Sequence, residues 1–320
     1  MKKILVVGAT GQIGSELSKR LRSVYGKDNV VASYIAPPYP DNFFEEGPTE
    51  KIDATKIEDI ANVVKKHNID TIYNLAAILS ATAEQKPKLG WDVGMGALMN
   101  CLDVAKECGC AVFTPSSIGA FGPDTPADKT PQDTIQRPRT IYGITKVAGE
   151  LLSDYYFHKY GVDTRSVRFP GLISNLTPPG GGTTDYAVEI YYAAVKGEKF
   201  ICPLGAGTYM DMMYMPDALD AAINIMEADP SKLIHRNSFN VTAMSFDPEI
   251  LFNTIKKHVP NFEMEYNVDP LKQGIANSWP NSLDDSCARA EWGWNPKFDL
   301  EKMTVDMLQA LQIKKEKGLL

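Results

Sequence analysis

Histidine is scarce in this chain, with four residues in 320, and their positions at 67, 158, 235 and 258 are scattered. The five cysteines, at 101, 108, 110, 202 and 287, include no Cys-x-x-Cys pair. These spacings carry no metal-ligand signature, so no metal is expected, and they exclude a disulfide scaffold. Cys108-Gly109-Cys110 falls at a predicted helix-to-strand junction and reads as a pair of buried, reduced thiols. Dense Lys/Arg runs are also missing and the formal charge is -7, so there is no electrostatic footprint for nucleic acid or an anionic membrane. Long apolar runs are absent too. The first one ends at Gly8, too short for a signal peptide or a membrane span. The expectation is a cytoplasmic protein that binds neither nucleic acid nor membrane. No internal repeat is present, and the glycine-proline run at 177–182 is the nearest approach to low complexity.

What is present suits a large core, since 44% of the residues are hydrophobic. Apolar segments at 4–7, 30–33, 71–75, 111–115 and 163–169 alternate with helical stretches, which predicts a doubly wound parallel sheet of α/β class. After Pro170-Gly171 the rhythm breaks at 177–182. The expected organisation is a dinucleotide-binding Rossmann domain over 1–176, to which later segments return, and a smaller, discontinuous substrate lobe mainly over 177–320.

The strand Ile4-Leu5-Val6-Val7 runs directly into Gly8-Ala9-Thr10-Gly11-Gln12-Ile13-Gly14. A glycine-rich turn between a buried strand and a helix lets backbone approach a pyrophosphate, which the free N–H groups and dipole of the helix then stabilise. Ile13, Leu17, Leu21 and Val24 fall at helical spacing on one predicted apolar face, and Gly26 is the stop signal.

The second motif is Tyr142-Gly143-Ile144-Thr145-Lys146, which places a phenol and an ammonium one helical turn apart, after Ser116-Ser117 at the end of a predicted strand. Oxidising a secondary alcohol requires a base for the hydroxyl proton while hydride leaves the same carbon. A tyrosine hydroxyl with a reference pKa near 10 is a poor base alone. An ammonium about 5 Å away at an effective dielectric near 20 stabilises a phenolate by about 3 kcal/mol. The expected roles are Tyr142 as base, Lys146 as its electrostatic support and ribose ligand, and Ser117 as the group orienting the substrate oxygen.

The glycine turn, Asn74-Leu75-Ala76-Ala77, Ser116-Ser117 and Tyr142-x-x-x-Lys146 resemble the extended short-chain dehydrogenases, which include nucleotide-sugar epimerases and dehydratases. Finer strings, Ile118-Gly119-Ala120-Phe121-Gly122-Pro123, the run from Ile135 to Gly143, Pro179-Gly180-Gly181-Gly182-Thr183-Thr184-Asp185-Tyr186-Ala187 and Ser278-Trp279-Pro280, resemble the NAD-dependent L-threonine 3-dehydrogenases within that family. The resemblance covers essentially the whole chain. It implies oxidation of L-threonine at the β-carbon to 2-amino-3-oxobutyrate with NAD. It also implies a cofactor site of Gly8, Gly11, Gln12, Ile13, Gly14, Tyr34, Asp53, Leu75, Ala76, Ala77, Tyr142, Lys146 and Pro170, and a substrate pocket of Ser80, Ser117, Tyr142, Gly182, Thr184, Asp185 and Trp279. Trp279 reads either as a lid over the substrate or as a core aromatic.

The rivals are a UDP-sugar epimerase or dehydratase of the same fold and a dinucleotide-binding sensor without turnover. Against the first, Met210 stands in Met210-Asp211-Met212 where such enzymes carry a diphosphate-binding arginine. Retention of Tyr142, Lys146 and Ser117 argues against the second. Two departures from the family pattern are Tyr34, where NAD enzymes usually place an acidic residue for the adenosine ribose, and Gly94, where an asparagine usually supports a water near the lysine. Leu98, Cys101, Leu102 and Ala105 on the helix from Trp91 onward, and Val147, Leu151 and Leu152 on the helix bearing Tyr142, read as apolar faces not all needed by one sheet, and the resemblance implies a homodimer that pairs these two helices.

Overall fold

The structure, a computed structural model, describes residues 1–180 and 182–320; Gly181 of the glycine-threonine string lies outside the described residues. Strand β1 (Ile4–Val7) is buried along its whole length and sends alternate side chains to opposite faces. Ile4 and Val6 join Leu17 and Leu21 of helix α1 (Gln12–Tyr25), while Leu5 and Val7 enter a separate core on the other side. A strand covered on both faces is what a doubly wound sheet requires. β2 (Val30–Tyr34) pairs in parallel with β1, and β3 (Thr49–Lys51) with β2. After α2 (Ile57–His67), β4 (Thr71–Asn74) pairs with the other edge of β1. Helices α3 (Ser80–Gln85) and α4 (Pro87–Cys108) lead to β5 (Ala111–Phe113) and the two-residue β6 (Ser116–Ser117). α5 (Ile141–Tyr160) and β7 (Thr164–Arg165) follow, and the parallel sheet has the order β3-β2-β1-β4-β5-β7. The order reverses between β1 and β4, and the crevice outside such a reversal is where doubly wound sheets bind ligands.

Of the expected strands, one is shortened and one is divided. In the 111–115 segment, Pro115 has no N–H to donate, so the ladder stops after Phe113. In the 163–169 segment, β7 stays in the main sheet, while β8 (Val167–Phe169) pairs with β6 in another. Ser117 therefore sits on a short separate sheet rather than at the end of the main one.

β9 (Gly171–Ile173) is followed by α6 (Tyr186–Lys196), β10 (Phe200–Cys202), β11 (Met210–Tyr214) and α7 (Met215–Glu227). β12 (Phe239–Asn240) then returns to pair with β8. β13 (Met244–Phe246), α8 (Pro248–His258), β14 (Met264–Tyr266), α9 (Pro270–Ala276), α10 (Ser286–Trp292) and α11 (Leu300–Glu316) complete the chain. Ile190, Tyr191, Met212, Phe246, Leu251 and Met307 form the core of the second region, whereas Ala218 and Ala222 of α7 pack with Ile4 and Val6.

Two expectations about apolar faces are corrected. Val24 is exposed, because Ile13, Leu17 and Leu21 of its stripe pack on the core beside the sheet and it does not. On α4, Leu98, Cys101, Leu102 and Ala105 are consumed by the core that holds Leu5 and Val7. The exposed large apolar groups of α4 and α5 are Leu89, Trp91, Met99, Ile144, Leu151, Tyr155 and Tyr160, of which Leu151 belonged to the expected faces. The cysteines are free; Cys110 is buried and Cys108 half-buried, on either side of Gly109, which caps α4 at φ 71°. Among the described residues no helix is long and apolar enough to cross a membrane.

Candidate active site

The glycine turn is sterically obligatory at two places. Gly8 has φ +80°, and a Cβ there would stand 3.0 Å from the Ala76 amide nitrogen; at Gly14 a Cβ would lie 2.2 Å from the Gly8 carbonyl oxygen. Side chains at these positions would pry α1 away from the strand ends. Gly11, at the head of α1, makes no side-chain cap, and the first turn contains no acidic residue. The first N–H groups of α1 are thus left for an anionic ligand, which is how the residues present fit a dinucleotide.

Thr140 caps α5 by accepting from the Gly143 N–H at 3.1 Å, which fixes the turn carrying Tyr142 and Lys146. Lys146 Nζ donates to the Pro115 carbonyl at 2.8 Å and lies 5.3 Å from the Tyr142 ring centroid. Ser117 Oγ accepts from the Gly119 N–H at 3.1 Å. A Cβ on Gly119 would approach the Tyr142 ring to 3.2 Å, so this glycine makes room for the phenol beside Ser117.

One buried group behind these residues escaped the sequence reading. Glu150, one turn beyond Lys146, accepts from Arg168 at 3.0 and 2.9 Å, from Gln136 at 2.8 Å, and from the Ser116 hydroxyl. Arg168 also donates to the Gln132 carbonyl at 2.8 Å and to Asn240 Oδ1 at 3.0 Å. This network ties α5 to β6 and β8, and so sets the spacing between Lys146 and Ser117. Its sequence signal was an arginine inside an apolar strand and a glutamate four residues after the lysine.

A cavity of about 360 Å³ opens in front of this group. Of the expected residues, Gly8, Gly11, Gln12, Ile13, Gly14, Leu75, Ala77, Ser80, Ser117, Tyr142, Lys146, Pro170, Gly182, Thr184, Asp185 and Trp279 border it, as do Leu79, Ile118, Phe169, Leu172 and Thr183, which were not singled out. Ala76 faces a second, smaller cavity of about 50 Å³ behind Lys146, which Gly94 also lines. Asn74 Oδ1 and Thr114 Oγ1 border this smaller space without a protein partner, and it has room for ordered water.

Tyr34 and Asp53 stand apart from both cavities. Tyr34 ends β2 within an aromatic cluster, with ring centroids 5.6 Å from Tyr39 and 5.2 Å from Phe44. Asp53 lies two residues beyond Lys51, the strand partner of Tyr34, and accepts from the Thr55 N–H at 3.1 Å and its hydroxyl at 2.6 Å.

The far wall of the main cavity is assembled from distant segments. Gly171 permits the approach of Thr184, since a Cβ there would lie 2.7 Å from Thr184 Cγ2. Asp185 is buried and accepts from the Gly182 N–H at 2.8 Å, closing the turn of the glycine-threonine string. Trp279 borders the cavity and also packs on Ile118, Phe121 and Leu283. The segment carrying it is held by Asp211, which accepts from the Leu283 N–H at 2.7 Å and the Thr242 hydroxyl at 2.5 Å. Burial pushes the Asp211 carboxyl up to about 8. Its neighbour Met210 is fully buried in the core of the second region.

The model of the NAD dependent epimerase/dehydratase family matches residues 4–241. A Staphylococcus aureus protein named as an uncharacterized epimerase/dehydratase is 55% identical over 314 residues, 98% of each chain. The crystal structure of L-threonine dehydrogenase from Clostridium difficile superposes with a TM-score of 0.96 at 55% identity, covering 100% of this chain and 99% of that one. A GalE-like L-threonine dehydrogenase from Cupriavidus necator in its holo form gives a TM-score of 0.94 at 49% identity, covering 97% of this chain and 99% of that one. With the glycine turn, the Tyr142–Lys146 pair and these matches together, the chain belongs to the NAD dependent epimerase/dehydratase family, and its cofactor is NAD.

Proposed function

We propose that this protein oxidises L-threonine at its β-carbon to 2-amino-3-oxobutyrate. The observation that carries the reading is the charge of the cavity: among the described residues lining it, Lys146 is the only lysine or arginine. A sugar nucleotide brings a second diphosphate that needs its own cationic partner, and Met210 is buried away from the cavity in a hydrophobic core. Ser80, Ser117, Thr184 and Asp185 instead offer a few convergent polar groups of the kind that orient a small zwitterion. The likeness to the Clostridium difficile and Cupriavidus necator enzymes, both named L-threonine dehydrogenases, supports the same substrate.

NAD supplies the acceptor for the hydride leaving the β-carbon. Tyr142 takes the hydroxyl proton as a phenolate. Lys146 stabilises that phenolate, is held in place by the Pro115 carbonyl, and holds the ribose hydroxyls when the cofactor is bound. Ser117 steadies the substrate oxygen by a hydrogen bond. The Asp185 charge attracts the substrate ammonium, and Trp279 excludes water. Gly8, Gly11, Gln12, Ile13, Gly14, Leu75, Ala76, Ala77 and Pro170 hold the cofactor, with Tyr34 and Asp53 at its adenosine end.

The test compares NADH formation from L-threonine, L-serine and L-allo-threonine, with UDP-galactose as control. L-Serine lacks a methyl and is expected to be about 10- to 200-fold poorer in kcat/KM. L-allo-Threonine is expected to fail, because inversion aims the β-hydrogen away from the cofactor while the hydroxyl stays with Tyr142 and Ser117. UDP-galactose epimerisation without threonine-dependent NADH refutes the reading.

The same reading includes a homodimer in a reducing cytoplasm, where free cysteines persist. The paired surface is formed by Trp91, Met99, Ile144, Leu151 and Tyr155, of which Leu151 is 63% exposed. Light scattering should give twice the 35.3 kDa chain mass, and Leu151→Glu should halve it. A wild-type monomer at micromolar concentration refutes the dimer.

A further inference from the structure

Far from the cofactor crevice, three residues scattered in sequence meet at the surface. His235 lies in the loop before β12, and Cys287 and Glu291 lie one turn apart on α10. One ligand atom from each, an imidazole nitrogen, the thiol sulfur and a carboxylate oxygen, lie within 4.8 Å of one another. None of the three borders the substrate cavity.

The groups around this triad are arranged as metal sites require. His235 directs Nδ1 at the Glu291 carboxylate, and its Nε2 meets Asp133 Oδ2 at 3.2 Å. A ligating histidine ordinarily has its other ring nitrogen bound to a carboxylate, which fixes the tautomer and raises basicity. Glu291 Oε2 also accepts from the backbone N–H groups of Ile234, at 2.5 Å, and His235, at 3.1 Å, so its orientation is set independently of any ligand. Glu291 is 8% exposed at its side chain and His235 is 23% exposed, which gives a seated site with an entry path from solvent.

We propose that His235, Cys287 and Glu291 bind one Zn²⁺ ion through imidazole nitrogen, thiolate sulfur and carboxylate oxygen, with Asp133 orienting the imidazole. A mixed N/S/O donor set suits a borderline-soft ion, and zinc accepts it in tetrahedral geometry with the fourth position left to water. On binding, the thiol releases its proton to solvent, and the metal takes the place of that proton on sulfur while a neutral imidazole nitrogen and the carboxylate complete the donor set. The ion would pin the loop before β12 to α10. That helix starts three residues after Leu283, which Asp211 holds, so the effect is on the stability of this region rather than on the chemistry.

The full chain is titrated with Co²⁺ and then Zn²⁺. One equivalent of Co²⁺ should produce a thiolate-to-metal charge-transfer band that Zn²⁺ abolishes, and saturating Zn²⁺ should raise Tm by about 3 °C or more. Cys287→Ser and His235→Ala should each weaken binding at least about tenfold, and Cys108→Ser should leave it unchanged. Circular dichroism shows whether each variant is folded, and Glu291→Gln, which keeps an acceptor for the two backbone N–H groups, supplies a milder variant of the same site. Absence of a thiolate band with the wild-type chain, or binding by Cys287→Ser equal to wild type, overturns the proposal.

Discussion

The two sides of the crevice are built differently. The cofactor side is local: the turn at 8–14 follows β1 directly, Leu75 to Ala77 follow β4, and Tyr142 and Lys146 share one turn of α5. The substrate side is put together across the chain, from the turn at 182–185, the Trp279 segment and Ser80. Its ties are long-range, as between the Leu283 N–H and Asp211, 72 positions apart. The contrast separates chemistry from specificity. Changes on the first side should affect every substrate alike, and changes on the second should discriminate among them.

The largest expected effect lies on the local side. Tyr142→Phe removes only the ionisable oxygen, so turnover should fall by about 10²- to 10⁴-fold, while NAD affinity, measured by calorimetry, should change little. Retention of more than about a tenth of wild-type turnover would remove Tyr142 from the base role.

Next comes the tie on the assembled side. Burial holds the Asp211 carboxyl at about 8 in the folded chain, whereas an exposed aspartate ionises near 4. The folded state therefore keeps a proton that the unfolded state has released. This contribution to stability is complete below about pH 4 and is lost as pH rises to about 8. Asp211→Asn cannot ionise but can still accept from Leu283. Its Tm should gain on wild type as pH rises through this window, by several degrees at the upper end. Parallel Tm curves for the two proteins would show that Asp211 is ionised throughout.

The smallest effect concerns the adenosine end. Tyr34→Asp should tighten NAD about three- to tenfold and weaken NADP, since a carboxylate accepts from both ribose hydroxyls and repels a 2′-phosphate. Tighter NADP binding by the variant would place Tyr34 elsewhere than beside the ribose.

The same division explains how much could be read from the sequence. The doubly wound sheet, the glycine turn and the Tyr142–Lys146 helix were legible because strand alternation and helical spacing act within about ten residues. The early end of the 111–115 strand was legible in Pro115, but the division of the 163–169 strand between two sheets was not. The Glu150–Arg168 network and the hold of Asp211 on the Trp279 segment were not legible, because their partners are chosen by the packed fold. The α4 face offered for dimerisation was misplaced for a related reason. Periodicity identifies Leu98, Cys101 and Leu102 as one apolar stripe, yet only the packed structure shows that the sheet already covers it.

The substrate assignment meets its sharpest test in L-threonine deuterated at the β-carbon, incubated with NAD and analysed by mass spectrometry of the recovered cofactor. One deuterium per NADH formed, with none when Tyr142→Phe replaces the wild-type protein, is the result the account predicts. Recovered NAD without deuterium, alongside interconversion of UDP-galactose and UDP-glucose, would contradict it.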